Sequence, residues 1–145
     1  MNQFSRLSML CVLTAISMAS HAVGNYSARS NSATPMPAEG GVETTVLQLS
    51  IPAGTWVVSS KVSFVNWLNK DYDRCHLLAG AASIDGATTM TGETDGMPAV
   101  ATLSNLGIVT TTVKSTFKLN CWHDFGVPNQ YIDPDASLVV TRAPK

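Results

Sequence analysis

The stretch TWVVSSKVSFVN at residues 55–66 decides the fold class of this chain. Apolar and small residues recur there at every second position, which is the period of a β-strand. β-Branched and aromatic side chains favour this extended conformation, and a length of about ten residues is typical of a central strand. The residues predicted to face inward are Trp56, Val58, Ser60, Val62 and Phe64.

Other segments with the same period lie on both sides of this strand. Residues 83–97 are predicted to be a long loop because Asp-Gly pairs mark turns, and residues 66–73 are predicted to be a polar loop. Six to eight strands separated by turn signals predict an all-β fold, an antiparallel β-sandwich of the jelly-roll kind. The further predicted strands cover residues 43–51, 75–78, 98–112, 115–122 and 136–141.

The first 22 residues have the composition of a signal peptide. A basic start, an apolar core at residues 7–19 and small residues before Ala22 predict export and cleavage. The core is about 13 residues long, shorter than the roughly 20 that a membrane-spanning helix needs, so we expect no transmembrane anchor. Residues 23–42, rich in Ser, Asn and Pro, are predicted to be a flexible leader, and residues 43–145 a single domain. The protein is therefore expected to be secreted or periplasmic.

Loss of the signal peptide, which contains Cys11, leaves Cys75 and Cys121 as the cysteines of the mature protein. Both fall at inward positions of predicted strands, which predicts one disulfide that stabilises the fold by about 4 kcal/mol for a loop of roughly 47 residues. The competing interpretation is a zinc site, because His76 and His123 lie close to the two cysteines in sequence. Side chains alternate along a strand, so His76 must point away from Cys75, and we expect the disulfide and no bound metal or cofactor.

Charge and surface pattern limit the partners. The chain has a formal net charge of −1 and only 13% charged residues, and its Lys and Arg residues are scattered singly. Binding to nucleic acid needs clustered positive charge, so we expect no nucleic-acid partner. Val57 and Val65 lie on the outward face of the long strand, where monomeric domains prefer polar groups. This pattern predicts a homo-oligomer that buries the face.

Four aromatic residues form a candidate ligand-binding set. Flat aromatic rings offer amphipathic surfaces on which the C–H faces of sugars stack, while Asn and Asp side chains bind hydroxyl groups. The alternative is that these rings cover the ends of the sandwich or fill a subunit contact. The candidates are Trp67, Tyr72, Trp122 and Tyr131.

Two other chemistries have weaker support in the sequence. Carboxylates in the predicted loops offer oxygen ligands for calcium, but no loop has the spacing of a known calcium motif. His123 and Asp124 offer a general base for a hydrolase, yet no serine stands in a Gly-x-Ser-x-Gly elbow, and residues adjacent in sequence seldom orient each other. We expect no catalytic residue and no enzyme. The carboxylates are Asp85, Glu93, Asp95, Asp133 and Asp135.

Four segments form a wider pattern: IPAGTWVVSSKVSFVN at residues 51–66, Cys75 followed by Leu77 and Gly80, FKLNC at residues 117–121 and ASLVV at residues 136–140. The pattern resembles small secreted bacterial β-sandwich proteins, mostly of unknown function. The order of features is also similar to the jelly-roll family that includes the globular head of complement and the tumour necrosis factor ligands.

This resemblance covers residues 44–142. It implies a ten-stranded jelly roll that often assembles as a trimer and binds partners through loops or subunit interfaces. It carries over no functional residue, because the pattern contains no catalytic signature and a fold alone does not supply a function.

Taken together, the sequence predicts an exported, non-catalytic β-sandwich module that acts by binding or assembly. Its expected partners are its own copies and a glycan or a surface protein. The alternative functions are a small lectin-like carbohydrate binder and, third, a hydrolase that uses His123.

Overall fold

The computed structural model describes residues 24–93 and 95–144. The signal peptide predicted at residues 1–22 therefore lies outside the described residues. Ten strands and no helix form the described part of the chain, so it contains no helix long and apolar enough to span a membrane. The strands are Asn25–Arg29 (β1), Thr34–Pro35 (β2), Thr44–Ile51 (β3), Gly54–Asn66 (β4), Asp71–Ala79 (β5), Ala82–Thr91 (β6), Ala99–Thr111 (β7), Ser115–His123 (β8), Tyr131–Ile132 (β9) and Ser137–Arg142 (β10).

Two antiparallel sheets form the sandwich. The six-stranded sheet has the order β1-β10-β4-β9-β2, with β7 on the other side of β4, and the four-stranded sheet has the order β3-β8-β5-β6. The long strands pair in a nested way, β1 with β10, β3 with β8, β4 with β7 and β5 with β6. This nesting is the rolled-up connectivity of a jelly roll. It confirms the predicted all-β, antiparallel, jelly-roll β-sandwich.

The long strand that decides the fold class is β4, at the centre of the six-stranded sheet. It pairs with β7 along its whole length, and with β10 and then β9 on its other side. All five residues predicted to face inward are buried. Val65 is also buried, which contradicts its prediction as an exposed apolar residue. The reason is that β9 and β7 place Tyr131 and Val100 directly on either side of it.

The disulfide joins the two cysteines that the sequence predicts. Cys75 on β5 and Cys121 on β8 lie directly opposite each other, with Cα atoms 4.1 Å apart and 46 positions apart in the chain. Both are fully buried in a core cluster that also contains Phe64, Leu119 and Ile132. A second cluster, at the other end of the sandwich, is built around Trp56, Leu77, Phe117 and Leu138. The covalent link therefore lies within the four-stranded sheet, between neighbouring strands.

Residues 83–97 are not one long loop, because most of this range belongs to β6. Gly86 was the turn signal, but it lies opposite His76 in the ladder between β5 and β6. A Cβ atom at Gly86 would come within 3.0 Å of Cδ2 of the His76 ring. The glycine makes room for that ring inside a strand. Similarly, β5 begins at Asp71, within the range predicted to be a polar loop.

Residues 24–42 contain strands that their polar composition does not predict. β1 pairs with β10 along five residues and forms an edge of the six-stranded sheet. Tyr26 packs edge-on against Trp56, with ring centroids 5.6 Å apart, and Met36 is buried in the core. Backbone pairing and two apolar anchors order a segment whose remaining side chains are small and polar.

Candidate binding surfaces

One end of the sandwich interior holds a polar cluster. It lies where β5 begins and β8 ends, and its side chains are at most 2% exposed. Buried polar groups need hydrogen-bond partners, and the side-chain polar atoms of this cluster all have one, except Gln130 Oε1. Its members are Asp71, Asp73, Thr91, His123 and Gln130.

His123 is held by Asp71, not by its sequence neighbour Asp124. The His123 Nδ1 atom is 2.8 Å from Asp71 Oδ2, and its Nε2 atom is 2.5 Å from the carbonyl oxygen of Pro37. Both ring nitrogens are therefore engaged, and the side chain is 0% exposed. A general base must reach the proton that it removes from a substrate. His123 has no such access, and its partner is Asp71 instead of the adjacent Asp124.

The other Asp71 oxygen fixes the loop that follows β8. Its Oδ1 atom accepts backbone N–H groups of Tyr72, Asp124 and Phe125 at 2.7, 3.1 and 3.0 Å. Three backbone amide donors therefore converge on one carboxylate oxygen. Asp71 thus holds the Phe125 backbone close to the start of β5, while the Phe125 side chain is exposed on the surface.

Asp73 is the second buried carboxyl group of the cluster. It accepts hydrogen bonds from Thr91 Oγ1 at 2.5 Å and from Gln130 Nε2. Burial raises its pKa to about 6, against the lowering effect of these two donors. The Gln130 Oε1 atom is buried without a hydrogen-bond partner. Because its pKa lies near 6, the buried Asp73 carboxylate is mostly ionised at neutral pH, and this ionisation lowers the stability of the folded protein.

In the part of the chain that the structure describes, the residues considered for zinc and calcium do not come together. Cys75 is in the disulfide, and His76 lies on the opposite face of β5, where its ring packs edge-on against Trp122 at 4.6 Å. Asp85 accepts the backbone N–H of Leu106, which lowers the pKa of the Asp85 carboxyl group. Within residues 24–93 and 95–144, no three His, Cys, Asp or Glu side chains gather as a metal site.

The four predicted aromatic candidates do not form one site. Tyr72 and Trp122 lie on the outer face of the four-stranded sheet, with Arg74 two residues after Tyr72 and directly opposite Trp122. Tyr131 lies on β9 of the other sheet, and Trp67 is exposed in the turn between β4 and β5. The structure therefore brings two of the four together.

The sequence did not single out Phe125, which extends this surface. Its ring is 69% exposed and lies 6.0 Å from the 43% exposed ring of Tyr72. Alternation along the strands does not reveal this contact, because Phe125 follows the end of β8. We name the surface the aromatic face and define it by Tyr72, Arg74, His76, Trp122 and Phe125.

An ion pair crosses the aromatic face. Arg74 Nε lies 2.9 and 3.0 Å from the two Asp124 oxygens, and Arg74 Nη2 lies 2.8 Å from Oδ2. This forked contact raises the pKa of Arg74 and lowers that of Asp124. Arg74 Nη1 also lies 3.3 Å from Thr88 Oγ1, so the guanidinium group contacts both β6 and the residue that follows β8.

The outer face of the six-stranded sheet has a different character. Leu106 lies in one row with Ser59 and Val139, and Ile108 lies in the next row with Val57 and Thr141. We name the four apolar residues the β7 patch. They are Val57, Leu106, Ile108 and Val139.

The alternation of residues along β7 is the sequence feature that indicates this patch. Asn105 and Gly107 lie at inward-facing positions of this unbroken strand. Asn105 is buried and accepts a hydrogen bond from Ser60 Oγ at 3.3 Å. A Cβ atom on Gly107 would lie 2.4 Å from Ile84 Cγ2, so the glycine admits that side chain. Leu106 and Ile108 must then face outward.

No family model and no curated protein matches the sequence. Solved structures do match the fold. The VP2 subviral particle of infectious bursal disease virus is 15% identical with a TM-score of 0.54, covering 84% of this chain and 33% of that chain. The T13 particle of the same virus is 14% identical with a TM-score of 0.55, covering 82% and 31%. Eiger TNF from S. frugiperda is 8% identical with a TM-score of 0.45, covering 81% and 95%.

The chain spans about a third of the length of the viral chains that it matches. At this identity the likeness defines the class of protein by fold, a jelly-roll β-sandwich. The functional argument therefore depends on the surfaces of this chain.

Proposed function

We propose that this protein is a non-catalytic jelly-roll module that acts by binding and assembly, and that it self-associates through the β7 patch. The observation that carries the proposal is the pair Leu106 and Ile108, which are 67% and 69% exposed on the same face of one strand. Contiguous exposed apolar surface on a soluble domain marks interaction sites. Val57 and Val139 continue that surface onto the two neighbouring strands.

The rigidity of the patch supports the same proposal. β7 pairs with β4 over thirteen consecutive positions, so Leu106 and Ile108 are held on a regular ladder. A surface that is already ordered loses little conformational entropy when it binds. The sequence AVATLSNLGIVTT of β7 also contains no charged residue, so two copies of it meet without charge repulsion.

Light scattering after size-exclusion chromatography tests self-association. We expect the purified protein to be an oligomer whose mass falls on dilution, and Ile108→Lys to be a monomer because it places an ammonium group in the contact. Ser50→Lys, on an exposed position of β3 in the other sheet, is the matched control and should leave the mass unchanged. A protein that is monomeric at every concentration contradicts the proposal.

Glycan binding by the aromatic face is the second candidate function. The exposed rings of Tyr72 and Phe125 flank the ion pair of Arg74 and Asp124, so stacking surfaces and polar groups lie side by side. A glycan array followed by titration tests it. Tyr72→Ala and Phe125→Ala should abolish any binding, and Tyr131→Ala, on the other sheet, should preserve it. An array without a bound sugar contradicts this candidate.

We place the protein outside the cytoplasm, as a secreted or periplasmic module. A buried disulfide of this kind persists in oxidising compartments. N-terminal sequencing of the protein recovered after expression in its host should begin at Val23. Retention of residues 1–22, or two free thiols in the recovered protein, would contradict this location.

A further inference from the structure

We propose that one end of the sandwich docks on the surface of a zwitterionic lipid bilayer by inserting apolar side chains from three loops. We name it the apolar end and define it by Trp67, Leu68, Met97 and Phe125. This inference goes beyond the self-association proposed above, and it uses residues outside the β7 patch.

The pairing of the strands places the three loops at the same end of the molecule. β4 ends where β7 begins, with Asn66 opposite Ala99. β6 and β8 both end beside the start of β5. The loops 67–70, 92–98 and 124–130 therefore project from one end of the sandwich.

Large apolar side chains are concentrated in these loops. Met97 and Phe125 are both 69% exposed, and Trp67 and Leu68 are 51% and 38% exposed. In the described turns at the opposite end of the sandwich, Val113 is the only exposed large apolar side chain. Single exposed apolar residues are normal on a soluble domain, whereas a group of them at one end marks an interaction site.

Hydrogen bonds fix the loop that carries Trp67 and Leu68. The buried Asn66 side chain accepts the Leu68 N–H group at 2.9 Å and donates to the Asn69 carbonyl oxygen at 3.0 Å. The Glu93 N–H group donates to the Leu68 carbonyl oxygen at 2.6 Å, which joins this loop to its neighbour. The two apolar side chains are therefore presented on an ordered backbone, which reduces the entropy lost on binding.

Side-chain chemistry and shape favour a bilayer over a small molecule. The cavity at this end, between Lys70, Met90 and Ala99, has a volume of about 220 Å³. Small-molecule sites usually have roughly 300–1,000 Å³. The apolar groups instead lie on separate projecting loops, around which fluid lipids are able to rearrange. Trp is enriched at the boundary between lipid headgroups and acyl chains, because its ring is apolar and its N–H group is polar.

The charge of the loops specifies the kind of lipid. Asp124 is paired with Arg74, and the other charged residues in the loop sequences are Lys70, Glu93 and Asp95. Recruitment to anionic lipids needs clustered Lys and Arg. We therefore expect insertion into phosphatidylcholine bilayers, which neither anionic lipid nor low salt should strengthen.

Sedimentation with phosphatidylcholine vesicles tests the proposal. The recovered protein should sediment with the vesicles, and lipids brominated in their acyl chains should quench its tryptophan emission. The double variant Trp67→Ser, Leu68→Ser should bind about tenfold more weakly or worse and lose most of this quenching. Val113→Ser is the matched control, because it removes an exposed apolar side chain at the opposite end. It should bind like the unmodified protein.

Met97→Ser, in a second loop, should also weaken binding, so the test does not depend on one variant. Circular dichroism checks that each variant is folded. Absence of binding to phosphatidylcholine vesicles, binding that requires phosphatidylglycerol, or equal binding by the double variant and Val113→Ser overturns the inference. If vesicles are not bound and the double variant lowers the mass measured by light scattering, the apolar end is a contact between copies of the protein and the bilayer proposal is wrong.

Discussion

The two sheets of this jelly roll are stabilised in different ways. The four-stranded sheet contains the disulfide between β5 and β8, carries the buried cluster of Asp71 and His123, and presents an ion pair to solvent. The six-stranded sheet has no disulfide in the described residues, and its outer face carries the β7 patch. The strands of the first sheet are joined by a covalent link, and its charged side chains pair with each other within the chain. The second leaves an apolar surface exposed to solvent, which is why we assign assembly to it.

Removal of the disulfide should have the largest effect. The Cys75→Ala, Cys121→Ala double variant should lose about 4 kcal/mol of unfolding free energy, because the link closes a long loop in the unfolded chain. Urea denaturation measures the loss, and reduction of the unmodified protein should reproduce it. A loss below about 1 kcal/mol would show that the four-stranded sheet does not depend on its covalent link.

The second largest effect should come from removing Asp71, the partner of His123 in the buried pair. Asp71→Ala leaves His123 without its carboxylate and frees three backbone amides, so the unfolding free energy should fall by about 3 kcal/mol. The matched control is Asp133→Ala, which removes a carboxylate from a partly exposed position. Equal denaturation midpoints for the two variants would contradict the structural role of the cluster.

Substitution of the neighbouring buried carboxyl group, Asp73, should raise the unfolding free energy. The pKa of Asp73 is raised from 3.8 to about 6 in the folded protein. The folded protein keeps a proton that the unfolded chain releases, so stability falls as pH rises between these values and stays low above them. Asp73→Asn should remove that slope and stabilise the protein by about 2 kcal/mol at neutral pH.

The amide network is able to accept this change. Rotation of the Gln130 amide turns its unpartnered Oε1 atom toward the new side-chain amide. Thermal unfolding of both proteins across pH 4–7 measures the effect. An identical pH dependence for the two would show that Asp73 is not ionised at a cost in the folded state.

Substitutions in the β7 patch should barely change the stability of the fold. Leu106→Thr combined with Ile108→Thr should alter the unfolding free energy of the monomer by less than about 0.5 kcal/mol, since both side chains are exposed. The same variant should associate more weakly. A large loss of monomer stability would show that these side chains stabilise the core of the fold. The six-stranded sheet would then not differ from the four-stranded sheet in having an apolar surface free for assembly.

The sequence predicts the elements whose signal is local. β4 and β8 follow from strict alternation, and the cysteine pair follows from two inward positions. β6 was missed because Gly86 serves the packing of His76, and a glycine selected by a neighbouring side chain looks like a turn in the sequence. β1 was missed because its order comes from pairing with β10, more than a hundred residues later.

The candidate surfaces were predictable only in part. Tyr72 and Trp122 share a face, as expected of residues on adjacent strands, but Phe125 reaches them from a loop held by Asp71. The partner of His123 lies 52 positions earlier in the chain, and no local pattern indicates it. Such long-range contacts depend on the topology, which the alternation of polar and apolar residues does not contain.

The most direct test of the central claim, self-association through the β7 patch, is hydrogen exchange of the β7 amides, measured by NMR at low and high protein concentration. The amides of Thr102, Ser104 and Ile108 point away from β4. Association through the β7 patch predicts that their exchange slows as the protein concentration rises. Rapid exchange of these three amides in a fully associated protein would contradict the account.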